Sequence, residues 1–365
     1  MATRGLRRRN LTVWSDDRSS PFSLGLLPLS LGYQALIRLR EACYESGIFR
    51  TRSLPLPVIG VGNLTTGGTG KTPAVELVAR TLLDLGWKPA IISRGYGRKR
   101  GGTIAVSDGS RLLVSPREGG DEPVLLARRL PTVPVVVGAH RYRAGRFCFD
   151  QFHPSALILD DAYQHRTLKK DAEILLINGT DPWGNGRLFP RGPLREPLRA
   201  MRRASLIVVT GVRASESLQP ILERIQPYRP NAQLLMAEYE TSVPVSPDPA
   251  QPPYDGRALF AFCGVANPEG FRRTLADAGL TVVGFTSFPD HHWYSEKDLR
   301  GLAEAAREHG ASGLITTEKD GVRCESLPLA LPLWTLPIRL RLKGDQKIWR
   351  DRLLAVMNQR SHEAA

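Results

Sequence analysis

Residues 65–72 have the types and spacing of a phosphate-binding loop. They lie between an apolar run typical of a buried strand, residues 57–64, and a helical pattern, residues 72–86. Glycines let backbone N–H groups turn toward phosphate oxygens, and the N-terminus of a helix adds its dipole. The usual pattern has glycine at the first position, so the sequence predicts a variant loop. Its candidate nucleotide-binding residues are Thr65, Thr66, Gly67, Gly68, Thr69, Gly70, Lys71 and Thr72. Lys71 would reach the β- and γ-phosphates, and the Thr72 hydroxyl would ligate Mg²⁺.

Two adjacent carboxylates, Asp160 and Asp161, close the apolar run 156–159. They would therefore lie at the carboxyl end of a buried strand, where a Mg²⁺ ion of a nucleotide complex needs oxygen ligands. A helix N-cap or a solvated turn is the structural alternative.

Asp121 and His291 are candidates for proton transfer. A histidine with a pKa near neutrality beside an aspartate is the usual form of such a pair. Asp121 stands before Glu-Pro, so it is an equally good helix N-cap, and an exposed histidine before a helix is more often a surface residue. Sequence spacing alone cannot bring the two residues together.

A basic cluster that includes Arg94 follows the second predicted strand, at residues 94–100. This cluster could bind an anionic substrate or be a solvated loop.

Short apolar runs alternate with helical stretches from residue 56 onward, which predicts an α/β fold with a doubly wound parallel sheet like that of P-loop NTPases. The segment 181–203 is rich in Gly, Pro and Arg, and predicts a domain boundary near residue 200. We therefore expect an N-terminal arm over residues 1–52, a P-loop kinase domain over 53–203, and a second, smaller α/β lobe over 204–335.

Composition narrows the class of protein. The 365 residues are 42% hydrophobic and 24% charged, which argues against long disorder, a collagen-like chain and a polytopic membrane protein. The net charge of +14 favours an anionic partner, which could be nucleic acid, an acidic membrane surface or a phosphorylated substrate. The four cysteines form no C-x-x-C pair, which argues against a zinc site or a disulfide framework and favours the cytoplasm.

The N-terminal arm is basic and apolar. Residues 1–52 contain nine arginines and four acidic residues. Prolines and polar residues interrupt the apolar stretch 19–37, so a signal peptide or a spanning helix is disfavoured. An amphipathic helix lying on an anionic leaflet and an arm packed on its own domain both remain open.

Eight motifs in order strongly resemble the tetraacyldisaccharide 4′-kinase family, the lipid A 4′-kinases of Gram-negative bacteria, over roughly residues 20–350. Ala162 stands where most members of the family have glycine. The motifs are GNLTTGGTGKTP (62–73), ISRGYGR (92–98), GDEP (120–123), LDDAYQHR (159–166), GPLREP (192–197), CGVANPEGF (263–271), FPDHHWY (288–294) and TTEKD (316–320).

The resemblance implies ATP-dependent phosphorylation of the 4′-hydroxyl of an acylated glucosamine disaccharide 1-phosphate, giving lipid IVA. It places the enzyme at the cytoplasmic face of the inner membrane, on an anionic lipid surface, with no nucleic acid and no obligate protein partner. It also implies two α/β lobes joined by a β-stranded linker, with a C-terminal helix within residues 340–365 returning to the first lobe.

The same resemblance assigns roles to individual residues. Lys71 and Thr72 would serve the phosphates and Mg²⁺, and Asp160 and Asp161 would serve the metal. Asp121 would be the general base with His291 as its partner, although the two lie in different predicted lobes. The family's active-site surroundings match Gln164, His165, Arg195 and Glu196.

Two other classes share the phosphate-binding loop. A regulatory GTPase or metallochaperone-type NTPase would carry N/T-K-x-D, but in the segment 317–320 the lysine comes one place too late. A non-enzymatic, membrane-bound nucleotide sensor is the third possibility.

Overall fold

The computed structural model describes residues 21–212, 217–248, 250–344 and 346–363. Residues 1–20 of the predicted arm lie outside this description. The chain divides into two compact units, the first made of residues 1–75, 155–238 and 342–365 and the second of residues 76–154 and 239–341.

The first unit is built on parallel strands in the order β8-β7-β6-β1-β5. These are β1 (Val58–Asn63), β5 (Ala156–Leu159), β6 (Ala172–Asn178), β7 (Leu206–Thr210) and β8 (Leu234–Thr241). Strand β1 is buried along its whole length, as expected for a parallel strand covered on both faces. Because β1 pairs with β5 in register Gly60↔Leu159, the residues that follow these two strands emerge at the same edge of the sheet.

Helices and one long loop surround these strands. The helices are α1 (Pro21–Gly25), α2 (Leu27–Glu45), the first turn of α3 (Lys71–Asp84), α7 (Gln219–Ile225) and α11 (Lys347–Glu363), with a 3₁₀ helix at Leu198–Arg203. The long segment between β6 and β7 contains this 3₁₀ helix, and its residues Leu188, Leu194 and Met201 are buried in one core cluster with Ile177 and Val209. The Gly-, Pro- and Arg-rich segment therefore packs as part of this unit.

The second unit contains two groups of strands. The first group has the order β2-β4-β3, in which β2 pairs parallel and β3 antiparallel with β4. It comprises β2 (Pro89–Ser93), β3 (Ile104–Asp108) and β4 (Pro134–Val137), with helices α4 (Pro116–Gly119), α5 (Asp121–Arg129) and α6 (Arg141–Phe152).

The other group is a four-stranded parallel sheet of order β10-β9-β11-β12. Its strands are β9 (Leu259–Cys263), β10 (Val282–Ser287), β11 (Gly313–Thr317) and β12 (Leu333–Leu336), and its helices are α8 (Pro268–Asp277), α9 (Glu296–Glu308) and α10 (Glu318–Cys324). Alternate residues of β9 pack into two different core clusters. Phe260 and Phe262 belong to one cluster, and Leu259, Ala261 and Cys263 belong to the other. The strand is thus covered on both faces.

This division differs from the boundary predicted at residue 203. Strand β7 pairs with β6, and β8 with β7, so the chain beyond residue 203 continues the sheet of the first unit. Residues 76–154, expected in the kinase domain, belong to the second unit. Two of the divisions between units fall in β8 and in β13 (Ile338–Lys343), and residues 342–365 belong to the first unit.

Within the described residues, none of the helices combines the length and the apolar character required to span a bilayer.

Candidate active site

The predicted phosphate-binding loop connects β1 to α3 in the first unit. Gly67 and Gly70 have φ angles of 123° and 78°, a backbone region that residues with a side chain rarely adopt. The loop is tied to its surroundings, because Thr66 N–H donates to Pro193 O at 2.7 Å and the Thr210 hydroxyl donates to Thr69 O at 3.2 Å. Lys71 is the first residue of α3, so the loop ends on a helix N-terminus. That arrangement is suited to binding phosphate.

Lys71 lies among polar groups drawn from three parts of the chain. Its ammonium is 3.5 Å from Asn63 Oδ1 and 3.8 Å from Asp161 Oδ1. The guanidinium of Arg195 lies 3.1 and 3.2 Å from the two Asp161 carboxylate oxygens. The fold therefore brings the predicted residues Lys71, Asp161 and Arg195 together.

Two of the three predicted metal ligands, Asp160 and Thr72, fit Mg²⁺ by their chemistry, and the third, Asp161, pairs with Lys71 and Arg195. Asp160 is 3% exposed and directly follows β5, and Thr72 is 4% exposed and follows the loop that leaves β1. Strands β1 and β5 are neighbours and run parallel. A carboxylate and a hydroxyl are hard oxygen donors, and Mg²⁺ typically takes only one or two protein ligands beside phosphate and water oxygens. No cluster of three or more His, Cys, Asp or Glu side chains suited to a metal occurs in the described part of the chain.

Three residues implied as active-site surroundings have different environments. The Gln164 amide donates to Asn63 O at 2.9 Å, and His165 Nε2 lies 2.6 Å from the Thr167 hydroxyl. Glu196 is only 1% exposed and pairs with Arg203 at 2.5 Å. Its carboxylate is therefore turned toward Arg203, and a direct contact of Glu196 with substrate stays a prediction.

Asp121 and His291 lie together in the second unit. His291 Nδ1 is 3.2 Å from Asp121 Oδ2, although 170 positions separate them in sequence. The expectation that they belong to different lobes is therefore corrected, because α5 and the loop before α9 both fold into this unit. The carboxylate is 4% exposed and the imidazole 28% exposed. An incoming molecule can reach the histidine but not the aspartate.

The surroundings of Asp121 and His291 shift their pKa values in opposite directions. Burial opposes ionisation of Asp121, but the hydrogen bond with His291 and the charges of Arg323 and Lys319 outweigh it and lower its pKa to about 2. The pKa of His291 is raised, chiefly by its hydrogen bond to Asp121, against the opposing effect of burial. Asp121 is thus ionised at neutral pH, and His291 is the stronger base of the two.

Comparison with known proteins decides the family. Residues 22–358 match the family model described as tetraacyldisaccharide-1-P 4′-kinase, LpxK. The chain belongs to the tetraacyldisaccharide 4′-kinase family. Among its curated relatives, the tetraacyldisaccharide 4′-kinase of Syntrophus aciditrophicus is 41% identical over 96% of this chain and 99% of the relative. That of Geobacter metallireducens is 42% identical over 82% of this chain and 87% of the relative.

A solved structure shows the same fold. It is described as an "apo" form of LpxK from Aquifex aeolicus in complex with ATP, and it matches with a TM-score of 0.74 and 33% identity over 92% of this chain and 99% of its own. The predictions of family and of a mainly parallel α/β fold are confirmed. Membership of a kinase family also removes the regulatory GTPase and sensor alternatives.

Sequence reasoning missed three polar or aromatic residues at these sites of the 4′-kinase. Asn63, fully buried at the end of β1, contacts both Lys71 and Gln164. Tyr96, 64% exposed, places its ring centroid 5.1 Å from that of His291. Arg323 lies beside Asp121. Asn63 and Tyr96 stand inside two of the motifs and Arg323 follows a third by three residues, and these positions were the available signal. Arg94, which was predicted, is exposed one residue beyond β2.

Proposed function

We propose that this family member transfers the γ-phosphoryl group of ATP to the 4′-hydroxyl of a tetraacyldisaccharide 1-phosphate. The observation that carries the proposal is the Asp121–His291 pair, because an accessible base held by a buried carboxylate is suited to activating a hydroxyl. A nucleotide sensor would not need such a base. The family match over residues 22–358 supports the choice of acceptor.

On the nucleotide side, the chain supplies positive charge and oriented donors. Lys71 and the backbone N–H groups of residues 67–72 would bind the phosphates, where negative charge is spread over the transferring group. Thr72 and Asp160 would hold Mg²⁺, which neutralises phosphate charge when bound. Asp161 and Arg195 would then set the position of Lys71 through the ion pairs described above.

On the acceptor side, His291 accepts the proton. Its Nδ1 faces Asp121, which leaves Nε2 to take the proton of the 4′-hydroxyl as that oxygen bonds to phosphorus. The ADP oxygen leaves with the electron pair of the broken P–O bond. Asp121 remains ionised throughout and stabilises the imidazolium that forms. We therefore assign the role of base to His291 and an orienting role to Asp121, the reverse of the roles that the family resemblance implies.

Helix α2 provides a surface for a membrane. Three of its polar residues bind the rest of the first unit: the Ser30 hydroxyl donates to Leu188 O, the Tyr33 hydroxyl to Arg195 O, and the Arg40 guanidinium to Gln164 O. Seven apolar side chains on and near the helix are instead exposed by 46 to 71%, namely Leu24, Leu29, Leu31, Leu36, Leu39, Ile48 and Phe49.

A surface helix usually exposes polar side chains, but this helix exposes leucines, which favours burial of those leucines in lipid. The basic N-terminal region and the net charge of +14 favour an anionic leaflet. We infer that the kinase works as a peripheral protein on the cytoplasmic face of the inner membrane, where its acylated substrate would be embedded.

Transfer of labelled γ-phosphate tests the proposal. Purified enzyme is incubated with [γ-³²P]ATP, Mg²⁺ and tetraacyldisaccharide 1-phosphate in mixed micelles, and the lipid is separated by thin-layer chromatography. Label should enter the lipid only with enzyme, and a Lys71→Ala variant should lose this transfer. ATP hydrolysis that the lipid does not stimulate, with no labelled lipid, would contradict it.

A further inference from the structure

Helix α10 contains a buried ion pair that the mechanism above does not use. Asp320 Oδ1 and Arg323 Nη1 lie 3.2 Å apart, one helical turn from each other, with side chains 0% and 1% exposed. Replacing a buried ion pair by apolar residues is often neutral or stabilising, so the pair is weak evidence for a role in stability. Its contacts indicate a different role.

Arg323 contacts the side chain that orients His291. Its Nε lies 2.9 Å from Asp121 Oδ2, an ion-pair contact that does not have the geometry of a hydrogen bond. That oxygen is also the one that faces His291 Nδ1. The guanidinium therefore limits where the carboxylate can sit.

Arg323 also holds the backbone that carries His291. Its Nη1 donates to Gly264 O at 3.2 Å and to His292 O at 3.1 Å. The same Gly264 carbonyl accepts the His291 N–H at 3.0 Å. One guanidinium thus touches the side-chain partner of His291, the acceptor of its backbone N–H, and the carbonyl of the next residue, His292.

Asp320 binds the backbone N–H of Gly264, the residue whose carbonyl Arg323 binds. Its Oδ1 accepts the Gly264 N–H at 3.0 Å and the Tyr294 hydroxyl at 2.7 Å, and its Oδ2 accepts the Thr317 hydroxyl at 2.6 Å. A Cβ at Gly264 would lie only 3.0 to 3.1 Å from Pro289 O, Asp320 Oδ1 and the Tyr294 hydroxyl. The close fit leaves the Gly264 peptide little freedom.

His291 needs such support because its backbone is unusual. Its φ of 57° lies in the left-handed region, which costs energy for a residue with a side chain. A conformation of this kind persists where the surroundings over-determine it. The contacts of Asp320 and Arg323 are those surroundings.

We propose that Asp320 and Arg323 are positioning residues, which hold the Asp121 carboxylate and the His291 backbone in the arrangement that presents Nε2 to the acceptor hydroxyl. The kinetic part of this proposal rests on the proposed function. The part that concerns the imidazole ring does not, since Asp121 fixes the proton of neutral His291 on Nδ1 whether or not substrate is present.

The kinetic test uses Arg323→Gln, Arg323→Lys and Asp320→Asn in the full chain. We expect kcat to fall about 10- to 100-fold in Arg323→Gln, as for other residues that orient a functional side chain. KM for ATP should be unchanged, and lysine, which keeps the charge, should restore part of the loss. In a His291→Ala background, Arg323→Gln should change the residual rate less than about twofold, because residues that act as a unit are non-additive.

Arg129→Gln is the matched control. Arg129 forms ion pairs with Glu76 and Glu318 in the same unit and does not touch the Asp121–His291 pair. It should lower the melting temperature while kcat stays within about threefold of wild type. Equal losses of kcat in the Arg129 and Arg323 variants, or a loss from Arg323→Gln that persists without His291, would overturn the proposal.

The second readout is the ¹⁵N spectrum of His291, assigned by its loss in His291→Ala. Neutral wild-type His291 should carry its proton on Nδ1, and Arg323→Gln and Asp320→Asn should show mixed tautomers. An unchanged tautomer in both folded variants would refute the positioning role. If wild type transfers no phosphate, the proposed function fails, but this spectrum still decides the role of Arg323. Arg323→Lys and Asp320→Asn provide the same test if Arg323→Gln does not fold.

Discussion

The substitution Asp121→Asn separates the two roles assigned to the proton-transfer pair. It keeps the shape of the side chain but removes its charge, and its amide can present an N–H to His291. The pKa of Asp121 is lowered from 3.8 to about 2 in the folded protein. That difference corresponds to about 2.5 kcal/mol in favour of the ionised carboxylate. His291, Arg323 and Lys319 share this interaction, so the pKa of His291 should fall by less than about two units in the variant.

The pH dependence of kcat reports the change in the pKa of His291. A base must be unprotonated, so the wild-type rate should fall as pH decreases through the raised pKa of His291, above the usual value of 6.5. Asp121 stays ionised over that range. Besides Asp121, the charges of Asp290 and Glu122 favour protonated His291, and they remain in the variant. The acid limb of Asp121→Asn should therefore lie at lower pH, and its plateau should be about 10²- to 10⁴-fold lower because the ring proton is misplaced.

Initial rates of lipid phosphorylation between pH 5 and 9, at saturating ATP and lipid, provide the measurement. Glu122→Gln is a useful control, since it removes a more distant carboxylate from the same helix and should move the limb much less. An Asp121→Asn profile with an unmoved limb, or a plateau within threefold of wild type, would refute the assignment of His291 as the base held by Asp121.

Three further predictions concern the nucleotide and membrane sites. Lys71→Ala should lower kcat at least about 10²-fold with little change in melting temperature, because the lysine neutralises phosphate charge and lies outside the core; half of wild-type turnover would exclude that role. Asp160→Asn should raise the Mg²⁺ concentration needed for half-maximal rate, since an amide oxygen is a poorer ligand for a hard cation, and an unchanged titration would place the metal elsewhere. Leu36→Ser/Leu39→Ser should weaken co-sedimentation with phosphatidylglycerol vesicles, whereas Val243→Ser, a 68% exposed control, should not; equal binding by both variants would exclude α2 as the docking surface.

Local sequence signals predicted much of the first unit. A glycine-rich loop between an apolar run and a helical pattern located the β1–α3 connection, because that chemistry depends on contiguous residues. Two aspartates after an apolar run likewise located the end of β5. The domain boundary near residue 200 differed from the structure because glycine, proline and arginine in a segment do not reveal that Leu188 and Met201 are buried.

Contacts between distant segments were beyond sequence reasoning. The meeting of Asp121 with His291 depends on how α5 packs near the loop before α9, and neither pattern contains that information. Glu196 and Arg195 are neighbours in one motif, yet one is buried in an ion pair with Arg203 and the other reaches Asp161. Arg323 follows the TTEKD motif by three residues, and only the packing of α10 reveals its contact with Asp121.

The position of the transferred phosphate on the product shows whether the enzyme phosphorylates the 4′-hydroxyl. Product made from ATP and tetraacyldisaccharide 1-phosphate would be purified and examined by two-dimensional ¹H–³¹P NMR. We expect a second phosphate monoester coupled to the proton on the 4′ carbon, formed in a one-to-one ratio with ADP and absent with His291→Ala. ADP formed with free inorganic phosphate alone, or a phosphate coupled to a different sugar carbon, would contradict it.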